Sequence, residues 1–356
     1  MSFKSPLEEM SRTTPTQFWN DNCSEGDLAF AIEHGAVGAT TNPVIVGQVL
    51  EAELNKYLPR IRELISGNPS ATEDEIAWIV NENMAVAGAK LLEPVFSETG
   101  GKAGYISIQT NAKYYRNSEK IVEQAVHFKS LAPNIMVKMP VTRAGVEAIE
   151  ESTYRGVNVN ATVSFTVPQA LAVAEAISRG MKRRESEGMD NSALHPVCTI
   201  MVGRTDDWLK RAANDTGATV SPLALEMAGV AVFKRAYELY KERGYHHTRL
   251  LAAAFRSHYH WTEFIGGEVS MTITPSWIKR FIKSGIAIEN RIDRPVDPAI
   301  LSELQKNLKD FNRAYDADGM KPEEFDGYGA TRNTLTQFLN GYDSMVGIIR
   351  KYMING

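Results

Sequence analysis

Eight short runs of apolar and β-branched residues recur along the chain, each followed by a longer stretch with helical spacing. That alternation confines the chain to parallel βαβ units. The runs are TQFWND (16–21), AVGATT (36–41), YISIQT (105–110), IMVKMP (135–140), VNVNAT (157–162), PVCTIMV (196–202), RLLAAAF (249–255) and VSMTIT (269–274). Between them, apolar residues repeat at 3.6-residue spacing in 47–65, 72–96, 117–132, 145–156, 167–186 and 225–244. Eight strands with intervening helices are the count of a closed (β/α)8 barrel, whose chemistry sits at the C-terminal strand ends. An open doubly wound sheet is the competing arrangement, but no G-x-G-x-x-G follows the first run. The expected organisation is one domain over 1–356, with the barrel at about 16–290 and appended C-terminal helices at about 296–356.

A net charge of −4 leaves no electrostatic footprint for nucleic acid or an anionic membrane. Even the most apolar helical stretch, ALAVAEAISRG, is interrupted by Glu175 and Arg179, so no membrane span is expected. Cys23 and Cys198 are too few for a disulfide framework, and MSFKSPLEEM has no basic segment followed by an apolar one. The expectation is a cytoplasmic protein with two inert thiols. The charged run 181–190 reads as a solvated helix end with ion pairs along the helix.

Two weaker signals point elsewhere. TGGKAG (99–104) brings glycines to a lysine, but Ala103 follows Lys102 and the spacing is not that of a phosphate-cradling loop. His258 and His260 form an H-x-H after the seventh run, and Asp206, Asp207 or His195 would be needed to complete a metal site. A metal-dependent lyase or isomerase is the alternative that pairing supports. A non-catalytic binding barrel is a third.

Lys138 changes the argument. It stands mid-strand between Val137 and Met139, and an inward lysine there is desolvated. Desolvation favours the neutral amine, which attacks carbonyls to form Schiff bases; half of a buried ion pair is the competing role. Asp21, Asn42, Gln109, Asn160 and Thr162 fall at the ends of neighbouring strands, a polar set suited to a polyhydroxylated carbonyl compound. Arg204 and Arg256 close the sixth and seventh runs, and their guanidinium forks suit a phosphate.

From about residue 16 to 275 the sequence resembles the transaldolases and the related fructose-6-phosphate aldolases, which are Schiff-base barrels. The resemblance is carried by G-A-T-T-N-P (38–43), V-K-M-P-V-T-x-x-G (137–145), G-V-N-V-N-A-T-V-S-F (156–165) with P-Q-A-L-A-V-A-E-A (168–176), V-G-R (202–204) and A-F-R (254–256). It implies that Lys138 forms an imine with C2 of a ketose and that Asp21 deprotonates the C4 hydroxyl. Asn42 and Asn160 then hold substrate hydroxyls, Thr162 helps place a water, and Arg204 and Arg256 bind phosphate. The lysine is the electron sink, so no metal or cofactor is implied. The partner is a small sugar phosphate, and the family suggests a homo-oligomer joined through the terminal helix.

Three positions depart from the family pattern. Gln109 stands where the best-known transaldolases carry a glutamate, as it does in the fructose-6-phosphate aldolases. Met201 replaces an aromatic, and Ala254 replaces a small polar residue. An amide orients water but exchanges no proton. The expected activity is transfer of a dihydroxyacetone unit from a ketose phosphate to an aldose, in metabolism of the pentose phosphate type. Release of free dihydroxyacetone is the runner-up.

Overall fold

A computed structural model describes residues 3–355. Eight parallel strands close into a barrel in sequence order: β1 (Gln17–Asn20), β2 (Gly38–Thr40), β3 (Tyr105–Gln109), β4 (Ile135–Pro140), β5 (Val159–Ser164), β6 (Val197–Ile200), β7 (Arg249–Ala252) and β8 (Ser270–Ile273). Closure is made by β1 against β8, with Gln17 opposite Ser270 and Asn20 opposite Ile273. This is the (β/α)8 barrel that the alternation of runs predicts, and all eight runs contribute a strand. Period-2 alternation divides each strand between two environments. Val137 and Met139 are buried among apolar residues of the main core, whereas Lys138 between them carries the polar chemistry of the interior.

Several boundaries differ from expectation for identifiable reasons. The fifth run was expected to pair from residue 157, but the Val157 N–H bonds back to Ser152 O, closing the preceding helix through Gly156 at φ 73°. β5 therefore starts two residues later, at Val159. The segment 47–65 is two helices, Pro43–Ala52 and Leu54–Gly67, because Glu53 leaves helical geometry at φ −111°, ψ 26°. The charged run corrects the expectation of intrahelical pairs. Arg183 instead bonds Glu151, and Arg184 reaches Tyr154 O, so helix Val167–Ser186 is tied to helix Arg143–Tyr154.

After β8 come helices Pro275–Ile282, Pro298–Asn307, Lys309–Tyr315 and the 27-residue Gly329–Asn355. The last packs against Pro43–Ala52 and Glu73–Glu98 around a second apolar cluster that includes Val46, Leu50, Ile76, Tyr342 and Ile349. It therefore lies beside the ends of β2 and β6 and not at the periphery. Among the described residues no helix is long and apolar enough to cross a membrane.

Candidate active site

Lys138 sits in register with Gln109 on β3 and Asn160 on β5. Its side chain is 4% exposed and crosses over β3 to donate from Nζ to Thr41 O, at the end of β2, at 3.1 Å. Burial lowers its pKa from 10.5 to about 8; Asp21 opposes that shift and Arg204 adds to it. A pKa there leaves roughly a tenth of the amine neutral at pH 7, and the neutral form is what attacks a carbonyl.

Asp21 follows β1, its backbone N–H held by Ile273 O at 2.9 Å. Oδ1 accepts from Thr40 Oγ1 at 2.7 Å, and Thr40 Oγ1 lies 2.6 Å from Thr272 Oγ1. Burial raises the carboxyl pKa, against the opposing pull of Lys138, the Thr40 hydrogen bond and Arg204. Desolvation thus pushes both the amine and the carboxyl toward their neutral forms, the environment in which acid and base roles become accessible near neutral pH.

Around this pair, Gln109 Oε1 and Thr162 Oγ1 are buried with no hydrogen-bond partner in the protein. Buried polar atoms ordinarily find partners, so these two are disposed toward a ligand or water. The backbone beside Thr162 is strained. Val163 adopts φ 56°, unusual for a β-branched residue, where the β5–β6 register shifts between Ala161 and Ser164. Ala254, after β7, is left-handed at φ 63°.

The two asparagines are engaged by the protein. Asn42 caps helix Pro43–Ala52, its Oδ1 accepting the N–H groups of Val44 and Ile45 at 3.0 and 3.1 Å. That leaves its NH2 as the group available to a substrate. Asn160, fully buried, donates to Ser107 Oγ at 2.9 Å and accepts from Thr199 Oγ1 at 2.7 Å. It bridges β3 and β6 behind Lys138, with one amide hydrogen remaining.

The arginines are also held. Arg256 makes a forked pair with Asp207 Oδ2, at 3.0 Å from Nε and 2.8 Å from Nη2, and its Nη1 donates to Ala254 O at 3.0 Å. Arg204 Nη1 donates to Gln337 Oε1 and to Thr334 Oγ1, both on helix Gly329–Asn355, while its Nε is buried without a partner. The glycine of V-G-R has a steric reason: a Cβ on Gly203 would stand 1.9 Å from Ala254 O. Gly145, which closes the V-K-M-P-V-T-x-x-G motif, is excluded from larger side chains by Pro140 O at 1.7 Å.

The histidines do not meet as a metal pair. His260 Nδ1 accepts the Arg256 backbone N–H at 3.0 Å, which puts the ring proton on Nε2, where it donates to Asp206 Oδ2 at 2.8 Å. Both ring nitrogens are committed, so His260 positions Arg256. His258 lies on Tyr259, ring centroids 4.1 Å apart, and His195 lies at the opposite mouth of the barrel. Among the described residues no group of three or more His, Cys, Asp or Glu is placed to hold a metal ion. Burial raises the pKa values of Cys23 and Cys198 to about 12, away from thiolate chemistry. Met201 is buried and caps helix Val202–Thr216, its backbone N–H on Ser164 O.

Sequence reasoning missed Thr40 and the Thr41 carbonyl, although both lie inside G-A-T-T-N-P. It also missed the positioning role of His260 with Asp206, and Thr334 and Gln337, for which no local signal existed.

A family model described as Transaldolase/Fructose-6-phosphate aldolase matches residues 18–324. Transaldolase 1 of Streptomyces avermitilis is 30% identical over 232 residues, covering 63% of this chain and 61% of that protein. The transaldolase of Mycobacterium ulcerans is 29% identical over 239 residues (66% and 61%), and that of Thermobifida fusca 30% over 247 (67% and 66%). The aligned part thus spans a little under two thirds of these relatives. With a family match reaching from β1 past the strand ends that carry Lys138, Asp21 and both arginines, the chain belongs to the transaldolase/fructose-6-phosphate aldolase family.

Proposed function

We propose that this protein is a transaldolase-like transferase acting on ketose phosphates through a Schiff base at Lys138. The observation that carries the proposal is a lysine 4% exposed, with its pKa lowered to about 8, electrostatically coupled to the half-buried Asp21. The neutral amine attacks C2 of the ketose, and loss of water gives the protonated imine. Asp21 takes the C4 hydroxyl proton as the C3–C4 bond breaks, releasing an aldehyde and leaving an enamine on Lys138. The enamine adds to an acceptor aldehyde, Asp21 returns the proton, and hydrolysis frees the product. Gln109 Oε1 and Thr162 Oγ1 position the water used to make and break the imine. The Asn42 NH2 and the remaining Asn160 amide hydrogen hold hydroxyls, and Arg204 and Arg256 hold the phosphate. The curated relatives named transaldolase support this choice of reaction.

The test is borohydride added with a donor ketose, which should leave the donor's three-carbon unit on the peptide containing Lys138. Modification of another lysine overturns the assignment.

Gln109 favours a second reading, release of dihydroxyacetone, because without a glutamate there only Asp21 can relay protons at this centre. Free dihydroxyacetone against transferred product at saturating acceptor decides between them, and Gln109→Glu should shift the ratio toward transfer. We also propose one domain over 1–356, with the barrel at about 16–290 and appended helices at about 296–356. The proposed setting is the cytoplasm, as a homo-oligomer joined through the terminal helix.

A further inference from the structure

Arg204 lies where helix Val202–Thr216 meets helix Gly329–Asn355. On helix Val202–Thr216, Arg204, Asp207, Trp208 and Arg211 stand at i, i+3, i+4 and i+7, one continuous face. On helix Gly329–Asn355, Ala330, Asn333, Thr334 and Gln337 repeat the same spacing, and a cavity of about 420 Å3 lies between the two faces. Thr334 and Gln337 lie beyond residues 18–324, the part that matches the family model.

The charges of this groove do not cancel. Asp207, its one carboxylate, is taken by Arg256. Arg211 is exposed, with no hydrogen bond or ion pair among the described residues. Arg204 keeps a buried Nε without a partner, and its guanidinium lies 5.5 Å from the Phe338 ring. Seven residues of helix separate the two arginine backbones by about 10 Å, and Arg211 is the more exposed of the two. Gln337 lines the groove. Its Oε1 accepts from Arg204, and a flip of the amide turns an N–H toward an anion while releasing the guanidinium.

We propose that this groove is an anion subsite continuous with the barrel mouth, that Arg204 serves both, and that Arg211 anchors a phosphate group distinct from the one held at the mouth. Its source is either free phosphate or the second phosphate of an elongated sugar phosphate. A ketose held at Lys138 through C2 carries a 1-phosphate beside Lys138, so a sugar bisphosphate reaches Arg211 only with its carbons along the groove, and neither source rests on the Schiff-base reading.

The experiment is calorimetric titration of the full chain with inorganic phosphate, a hexose 6-phosphate and a hexose 1,6-bisphosphate, none of which requires turnover to be read. The bisphosphate should bind about tenfold more tightly than the monophosphate, and Arg211→Ala should abolish that advantage. The same variant should change kcat/KM for the monophosphate less than about twofold, since Arg211 stands outside the mouth. Gln337→Glu places a carboxylate on Arg204 and should weaken both sugar phosphates about tenfold or more. Equal affinity for the two sugar phosphates, with Arg211-dependent binding of inorganic phosphate, assigns the site to free phosphate. Affinities for all three probes that stay within about twofold in Arg211→Ala overturn the proposal. Because inorganic phosphate binding does not depend on Lys138, failure of borohydride trapping there leaves that arm intact.

Discussion

The two mouths of the barrel differ in how far their polar groups are met within the protein. At the N-terminal mouth a cavity of about 540 Å3 opens among the starts of β1, β3, β6, β7 and β8. Its polar groups are largely met within the protein. Tyr105 Oη donates to Gly101 O at 2.8 Å, and the Arg249 guanidinium donates to Val269 O at 3.1 Å and lies 3.6 Å from Glu268. Among the described lining residues only Trp19 Nε1 is a buried atom without a partner. At the C-terminal mouth the strained φ angles of Val163 and Ala254 accompany a buried lysine, a half-buried aspartate and the unmet atoms of Gln109, Thr162 and Arg204. Volume marks where barrel packing ends. Unsatisfied polarity and strain mark where the protein is arranged around something else.

Breaking the comparison begins at Lys138. Lys138→Met should lower transfer by about a thousandfold or more and abolish borohydride trapping, while no single substitution at the N-terminal mouth does so. The same variant should be more stable near pH 7 by on the order of 2 kcal/mol in urea unfolding, because burying the ammonium opposes folding. Below pH 8 both states carry that proton and the folded chain bears the whole penalty. Between pH 8 and 10.5 only the unfolded chain keeps it, so the Lys138 contribution makes stability rise with pH through that window. A flat profile for Lys138→Met against a rising one for the parent isolates the effect; parallel profiles contradict it.

Asp21→Asn should lower kcat by about a hundredfold or more, since the amide cannot accept the C4 proton. Borohydride trapping of an added carbonyl compound should survive in this variant. Loss of trapping with loss of turnover would instead make Asp21 a support for Lys138.

Ala254→Gly sharpens the strain side of the contrast. Relief of the left-handed alanine should raise unfolding stability by about 0.5–1 kcal/mol, and KM for a phosphorylated donor should rise as the loop before Arg256 loosens. A stability loss would show that the φ of 63° costs nothing here.

The smallest effect is expected at the other mouth. Lys102→Ala with His246→Ala should leave kcat/KM within about twofold, and a tenfold loss would mean that the two ends communicate through Trp19 and Met136.

How much of this was legible in the sequence follows from the range of each interaction. The barrel was readable because strand and helix periods are local properties. Lys138 was readable because a lysine between Val137 and Met139 violates the composition of its own strand. Asn42 and Asn160 were found as polar strand ends, but capping Val44 and bridging Ser107 to Thr199 depend on neighbours no spacing reveals. Arg204 and Arg256 were found, but not their partners. Gln337 stands 133 residues from Arg204, and Asp207 49 from Arg256, so the pairings exist only in three dimensions. The histidine pair misled because H-x-H is local, whereas the Asp206 that engages His260 comes from another helix.

Closure of β1 on β8 also sets a timetable for synthesis. While the ribosome has made the chain only as far as helix Val202–Thr216, Asn20 has no Ile273 to pair with and the sheet has two raw edges. Lys138 in that partial sheet is wet and ordinarily basic, and Arg204 has no Thr334 or Gln337 to hold it. The strand that shuts the barrel emerges near residue 270 and the helix that grips Arg204 only with the final turns of the chain. A nascent chain therefore carries Asp21 and Lys138 long before it carries the desolvated amine, whose surroundings are assembled only once β8 has closed on β1.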